Sequence, residues 1–333
     1  MRRIGIIHLN QIGDLVFSLP LLASLRRNYP KAEIVSILKP GLMELLEGSP
    51  SVDRLMPRRE GLRAQLKLMR DLRRLAPDLL ICLARSEEAF LLAMSSRATL
   101  KAGFANFPWD VSLDVKEHIE GHNSSYNNAK LLKALGIPIV QDSYVGLLQV
   151  SPVQPPPGLP QRFAVISPGA SSRRLIKAWD EDKFAELIVR LHQRYGLSAV
   201  LVGGADSRAC NESIRGLALG RFGAAQDGIT DLSGRLSLKE LVAVLKRSEL
   251  FVGIDSGVMH LASALDLPVV GLFGPTDPFY VGPQNRMSRV VREDLDCMPC
   301  YIKPSCREYD CLRRLGVDRV WDACEGLLET KTG

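Results

Sequence analysis

The 333-residue sequence predicts an α/β protein of two doubly wound domains facing each other across a cleft, each a parallel sheet clothed by helices. Three observations carry that expectation. Short β-type apolar runs alternate with longer amphipathic stretches along the chain, the pattern of βαβ units. The alternation breaks once, at SPVQPPPGLPQR (151–162), where five prolines read as a linker and hinge, and then restarts. Each half, at roughly 150 residues, is long enough to bury its own core. The expected bounds are 1–155 and 162–333, with a last helix that can pack back on the first domain.

The elements follow in order. RRIGIIHL opens as a strand, DLVFSLPLLASLRRNYP reads as a helix and AEIVSIL as a second strand. DLLICLA is a further short apolar run, and SYNNAKLLKALGI is helix-like. The second half begins with the strand FAVISP and the helix DEDKFAELIVRLHQRYG, which its glycine stops. LSAVLVGG is a strand, LSLKELVAVLKRSE a helix, and LFVGIDSG a strand running into a turn. VMHLASALDLP then forms a helix and PVVGLFGP the next strand, with no short internal repeat.

Composition excludes several classes. Hydrophobic residues make up 46% and charged residues 24%, which is ordinary globular chemistry. No apolar run approaches the ~18 residues of a membrane span. The opening MRRIGIIHLN has too short an apolar core for a signal peptide, so a cytoplasmic protein is expected. Four of the seven cysteines, Cys297, Cys300, Cys306 and Cys311, crowd into CMPCYIKPSCREYDC. That spacing suits zinc or an iron–sulfur centre, or simply reduced thiols in a packed loop. No histidine or carboxylate constellation accompanies them, which argues against a catalytic ion.

The net charge of +6 is uneven: residues 1–155 carry 20 Lys and Arg against 15 Asp and Glu. Arg59, Arg63, Lys67, Arg70 and Arg74 recur at steps of three or four, which gathers them on one helical face. Leu62, Leu66, Met69 and Leu72 are expected to dock that helix. The cations are either a solvated face or a shelf for an anionic partner. Nucleic acid is the weakest such partner, because no recognised nucleic-acid motif is present.

Ligands in doubly wound sheets bind beyond the carboxyl ends of the strands, so those loops carry the chemistry. The loop SPGASSRRLIKAW (167–179) offers Ser171, Ser172 and Lys177 ahead of a helix, an arrangement that serves an anion or an ordinary cap. In VGGADS, Asp206 is placed to accept ribose hydroxyls or to cap the following helix. In GIDSGVMHLASAL, Asp255 ends a strand, Ser256 and Gly257 open a helix, and His260 lies one turn in. FGPTDPFY adds Thr276 and Asp277 nearby. Together these loops describe a nucleotide-diphosphate site. GxxxxGK[ST] and GxGxxG are both absent, so neither a P-loop nor NAD is supported. After the first strand, a lone Gly13 is followed by Asp14, which either caps a helix starting at Leu15 or performs chemistry.

LNQIGDLVFSLPLLASLRRNYPKAEI resembles the opening of glycosyltransferase family 9, the ADP-heptose:lipopolysaccharide heptosyltransferases. So do Lys177-Ala178-Trp179 with FAELI, LVGGADS, DLSGRLSLKELVAVL and GIDSGVMHLASALDLPVVGLFGPTDP, in the right order from residue 2 to about 280. The cysteine-rich segment also looks like one that many members carry. The resemblance implies a GT-B fold, with acceptor on the first domain and donor on the second. It implies inverting transfer of heptose from ADP-L-glycero-D-manno-heptose to the lipopolysaccharide inner core, with no cofactor and no catalytic metal. Asp14 then matches the family's catalytic base, as an inverting transfer needs. Ser171, Ser172 and Lys177 would hold the diphosphate, with Lys177 also stabilising the leaving ADP, and Asp206 the ribose. Asp255, Ser256, Gly257 and His260 would surround the diphosphate and heptose. Serine stands at 172 and 256 where the family often has threonine, and Asp206 where it commonly has glutamate. The basic stretch would face anionic, phosphorylated lipid at the inner face of the inner membrane as a peripheral contact. Another nucleotide-sugar for a surface glycan, or a non-catalytic scaffold, are the alternatives.

Overall fold

β-branched and leucine-rich runs that are apolar along their whole length need cover on both faces, which is the condition of a central parallel strand. The computed structural model places them so, and describes residues 1–169, 177–221, 228–301, 306 and 310–330. The chain divides into two units, Met1–Ser151 and Pro152–Gly333.

In the first unit the strands are β1 (Arg3–Ile7), β2 (Glu33–Leu38), β3 (Arg54–Pro57), β4 (Leu79–Cys82), β5 (Leu100–Phe104) and β6 (Val115–Glu117). They form one sheet in the order β3-β2-β1-β4-β5-β6, and every pairing is parallel. Helices α1 (Ile12–Phe17), α2 (Leu19–Asn28), α3 (Pro40–Met43), α4 (Leu62–Leu75), α5 (Glu87–Ser95) and α6 (Ser125–Ala134) provide the crossovers. Strand order reverses between β1 and β4, so the loops that follow those two strands diverge and leave a crevice between them.

The second unit repeats the plan. Its strands are β7 (Phe163–Ser167), β8 (Ser198–Leu201), β9 (Ile229–Asp231), β10 (Leu250–Ile254), β11 (Val269–Leu272) and β12 (Ser288–Val291), in the order β12-β11-β10-β7-β8-β9. Its helices are α7 (Glu181–Tyr195), α8 (Arg208–Arg221), α9 (Leu238–Arg247), α10 (Gly257–Ala264), α11 (Pro278–Val281), α12 (Asp310–Arg313) and α13 (Val317–Thr330). The switch point here lies between β7 and β10. Gly196, at φ +64°, ends α7 with its N–H on the His192 carbonyl at 2.9 Å. Helix α9 starts from a capping box of Ser237 and Glu240. The last helix, α13, buries Val320, Cys324, Leu327 and Leu328 in the core that α7, β11 and β12 share. Trp179 anchors the same core: its indole N–H donates to the Leu315 carbonyl at 2.8 Å, and its ring meets Phe184 edge-on at 4.7 Å.

Two expected elements come out differently. The single first helix is two, α1 and α2, divided at Ser18. Pro20 has no N–H to donate and its ring would crowd the carbonyl four residues back, so the helix cannot run through. Ser18 Oγ instead donates to the Leu15 carbonyl at 2.7 Å. In α4 the docking residues are Leu68, Leu72 and Leu75, while Leu62 and Leu66 stand 71% and 48% exposed and Met69 is partly buried. At 3.6 residues per turn the 62/66 stripe lies about 120° around the helix from the 68/72/75 stripe. Only the latter faces the Val35, Ile37 and Leu80 side of the sheet.

At the end of β1, His8 is 1% exposed. Ser18 uses its one proton on Leu15, so it accepts from His8 Nδ1–H at 3.2 Å, and His8 Nε2 accepts from the Ser36 hydroxyl at 3.0 Å. Burial first, and the Arg58 cation second, lower the His8 pKa to about 3, so the folded ring is neutral. Between about 3 and the ordinary value of 6.5 the unfolded chain binds the extra proton, so this group's stabilisation is complete above 6.5 and is lost as pH falls. We expect stability to drop by about 1 kcal/mol per pH unit from this residue below pH 6.5. A His8→Gln variant should flatten the wild-type pH dependence in thermal unfolding between pH 6.5 and 4.5, and an unaltered slope would refute it.

Candidate functional site

Each switch point collects polar side chains. In the first unit, the loop after β1 runs from His8 to Gln11 and enters α1. Gln11 occupies the N-cap position, so Asp14 lies inside the first turn and is not the cap of a helix beginning at Leu15. The acid still sits where amide dipoles favour a negative charge. Asp14 is half-buried, and its Oδ1 accepts from Asn123 Nδ2 at 2.7 Å. The loop behind it is held by Arg58, 4% exposed, which donates to the His8 carbonyl at 2.9 Å and to the Asn10 side chain. Glu88 Oε2 lies 3.9 Å from the Arg58 Nε, an ion pair that only partly offsets the desolvation that lowers the Arg58 pKa.

In the second unit, Asp255 follows β10 and is 8% exposed. Its Oδ2 accepts from Lys177 Nζ and from Thr276 Oγ1, the latter at 2.8 Å, and its Oδ1 lies 3.7 Å from His260 Nε2. Burial alone would raise the Asp255 pKa, but the His260 imidazole and the Lys177 ammonium outweigh it and hold the carboxyl well below the usual carboxylate range. Ser256 holds the N-cap position of α10 without capping it, and its buried Oγ has no hydrogen-bond partner among the described residues. Gly257 is the first residue of α10 and His260 lies a turn further in, 3% exposed. Gly169, at the exit of β7, is at φ +66°, and a Cβ there would come within 2.8 Å of the Ile254 side chain. Only glycine suits the backbone at that point.

The structure thus joins Lys177, Asp255 and His260, with Thr276 bridging from the next loop, and it sets Ser256 and Gly257 beside them. Ser171 and Ser172 lie outside the described residues. Asp206 is exposed on a 3-10 turn, Ala205–Ser207, ahead of α8. That turn is packed by Gly234 at φ +63°, where a Cβ would come within 2.7 Å of the Ala205 Cα. Asp277, next to Thr276 in the same loop, caps α11, its Oδ1 accepting from Phe279 N at 2.9 Å.

Of the five cations, Arg59 precedes α4, while Arg63, Lys67, Arg70 and Arg74 project from it, and all five are exposed. The Cys311 thiol is buried, which raises its pKa, and the neighbouring Cys300, Cys306 and Cys297 add to the rise. Among the described residues no three or more His, Cys, Asp or Glu side chains are grouped to hold a metal ion. No helix among them is long and apolar enough to cross a membrane. Sequence reasoning missed Asn123 and Arg58. Asn123 meets Asp14 across 109 residues, and Arg58 is one more arginine in a basic stretch until its burial is seen.

Two Rossmann-like units with polar clusters at their switch points make up the GT-B architecture. The model of glycosyltransferase family 9 (heptosyltransferase) matches residues 66–309, and the chain belongs to that family. It is 28% identical over 314 residues to lipopolysaccharide heptosyltransferase 3 of Escherichia coli, covering 86% of this chain and 88% of the relative. It is 27% identical over 329 residues to lipopolysaccharide heptosyltransferase 1 of Pseudomonas aeruginosa, covering 91% and 87%. In fold it is similar to E. coli ADP-heptose lps heptosyltransferase II, with a TM-score of 0.78 at 22% identity over 100% of both chains. The E. coli heptosyltransferase WaaC with ADP gives 0.73 at 21% identity, over 98% of this chain and 99% of that one.

Removing one partner of a buried ion pair strands the other charge, which costs about 3 kcal/mol or more. Lys177→Met should therefore lower the thermal midpoint more than the double variant Lys177→Met with Asp255→Asn. Additive losses in the double variant would show that the pair is not coupled.

Proposed function

We propose that the protein transfers heptose from ADP-L-glycero-D-manno-heptose to the inner core of lipopolysaccharide by a single inverting displacement. The observation that carries this reading is the Lys177–Asp255–His260 cluster at the second unit's switch point, beside the orphaned Ser256 hydroxyl. The names of the relatives support the donor and acceptor classes.

The donor's diphosphate lies at the α10 N-terminus, where the Ser256 hydroxyl and the first amides of the helix donate to it. Lys177, which donates to Asp255, exchanges that carboxylate for phosphate oxygens. Ser171 and Ser172 add donors from the loop after β7, Asp206 takes the ribose hydroxyls, and His260 lines the sugar side. The acceptor binds the first unit. Its hydroxyl oxygen attacks the anomeric carbon, its proton passes to Asp14, and the bond from that carbon to the diphosphate oxygen breaks. The electron pair leaves with ADP, whose growing charge Lys177 and the α10 amides meet, so the step calls for no divalent ion or other cofactor. Attack opposite the leaving group inverts the anomeric centre.

The exposed cations Arg59, Arg63, Lys67, Arg70 and Arg74 suit a peripheral contact with the anionic, phosphorylated lipid that carries such an acceptor, at the cytoplasmic face of the membrane. Leu62 and Leu66, exposed on the same helix, add apolar area to that face.

Asp14→Asn should keep ADP binding by calorimetry and lose 10²–10⁴-fold in turnover, roughly the worth of a general base. The assay is ADP release from ADP-heptose with truncated lipopolysaccharide cores, run with and without EDTA. Turnover near wild type would remove Asp14 as the base, and preference for UDP or GDP over ADP would overturn the donor. Separately, the double charge reversal Arg63→Glu with Lys67→Glu should weaken flotation with phosphatidylglycerol vesicles at least tenfold. Unchanged flotation would return α4 to the role of a solvated helix.

A further inference from the structure

The start of α6 reads HNSSYNNAK (122–130), and its three asparagines serve one arrangement. Asn127 is fully buried: its Nδ2 donates to the carbonyls of Glu120 at 2.9 Å and His122 at 2.8 Å, and its Oδ1 accepts from Glu120 N at 2.9 Å. These bonds clamp the loop that enters α6. Asn128, 2% exposed, donates from Nδ2 to the Phe17 carbonyl at 2.9 Å, and Ser125 Oγ reaches the same oxygen at 3.2 Å. Phe17 is the last residue of α1, less than one turn beyond Asp14. The loop and the acid-bearing helix are thus tied into one block within the first unit.

Asn123 stands between the two ties. It is 9% exposed, and Nδ2 donates to Asp14 Oδ1 at 2.7 Å. An ionised carboxylate only accepts, so the NH2 end of the amide must face Asp14, and this sets the direction of the carbonyl end. That carbonyl oxygen, Asn123 Oδ1, is buried and has no hydrogen-bond partner among the described residues. The side-chain oxygens of Asn128, Asn211 and Asn285 are likewise without a partner among the described residues, but Asn123 is the one of the four whose amide also holds Asp14, so its oxygen is the one that a ligand donor beside that acid would meet.

We propose that Asn123 is the positioning residue for Asp14: its NH2 fixes the rotation of the carboxylate, and its amide oxygen accepts from a hydroxyl of the acceptor sugar. The inference rests on the reading of Asp14 as the base. With both ends engaged, Asn123 holds the acceptor and the group that deprotonates it at a set separation, the geometry on which proton transfer depends. Nothing in it involves the donor.

The test compares Asn123→Ala and Asn123→Asp with wild type in the heptose-transfer assay across pH 5 to 9. Asn123→Ala should lower kcat at least tenfold and raise the acceptor KM, with the Kd for ADP within twofold of wild type. Asn123→Asp sets a second carboxylate against Asp14, and two such groups cannot both ionise, so the acid limb of the pH–rate profile should move up by more than one pH unit. A purely structural asparagine would change the thermal midpoint and leave the kcat and acceptor KM of Asn123→Ala within twofold of wild type. Turnover within twofold of wild type and an unmoved acid limb would overturn the proposal. Should neither variant fold, selective 15N-asparagine labelling of the unmodified chain decides it. One side-chain NH2 pair, identified as the one that Asp14→Asn displaces, must shift with pH and on adding the truncated lipopolysaccharide acceptor; its failure to respond to either overturns the assignment. An active Asp14→Asn enzyme would sink the base reading itself, whereas an inactive one beside unaffected Asn123 variants would sink only this inference.

Discussion

Parallel pairing imposes one constraint from which the chemistry of both units follows. When every strand runs the same way, all carboxyl ends finish at one edge of the sheet, and each chain must cross back over a face to begin again. Where successive crossovers switch from one face to the other, two neighbouring loops diverge and leave room for a ligand. β1 and β4 are such neighbours in the first unit, and β7 and β10 in the second. Asp14 follows β1, Lys177 follows β7 and Asp255 follows β10. The site residues stand where the topology makes space, and the apolar strands behind them hold the edge rigid.

The two clusters manage buried charge in different ways. Around Asp255, a lysine, a threonine and an imidazole share one carboxylate, so a cation and an anion can both be buried without either being stranded. Removing either charge would leave the other buried without its counter-ion. Around β1 the solution is a histidine kept neutral by burial and by the nearby Arg58 cation, its ring nitrogens bonded to two serines, while the bonds of Arg58 go to a carbonyl and an amide oxygen. Arg58 and His8 thereby brace the loop that leads to Asp14.

Two of the left-handed glycines sit in loops that follow strands of the second sheet. Gly169 adopts a backbone that L side chains resist, at a spot where Ile254 leaves no room for a Cβ. Gly234 does the same against Ala205, which seats the turn that carries Asp206. The break between α1 and α2 at Ser18 has a comparable effect: Pro20 stops the helix, and the freed serine bonds both Leu15 and His8.

Much of this was legible from sequence because periodicity is a local property. Alternation of apolar runs and amphipathic stretches identified the doubly wound class, and the loops after β1, β7 and β10 could be located by counting strands. Lys177, Asp255 and His260 were readable as candidates for the same reason. What local pattern could not supply was anything decided by which faces meet. In α4, Leu72 and, partly, Met69 dock as expected, but Leu68 and Leu75 join them while Leu62 and Leu66 stay exposed, because the sheet beneath the helix selects among stripes that hydrophobicity alone leaves equivalent. Arg58 and Asn123 gained their roles only through burial and through partners 50 and 109 residues away. The sequence by itself determined the strands, the helices and the loops that carry charge, since each depends on neighbours within a turn or two. Only the tertiary structure decided which charge met which, because electrostatic partnership depends on distance and dielectric, and both are set by packing.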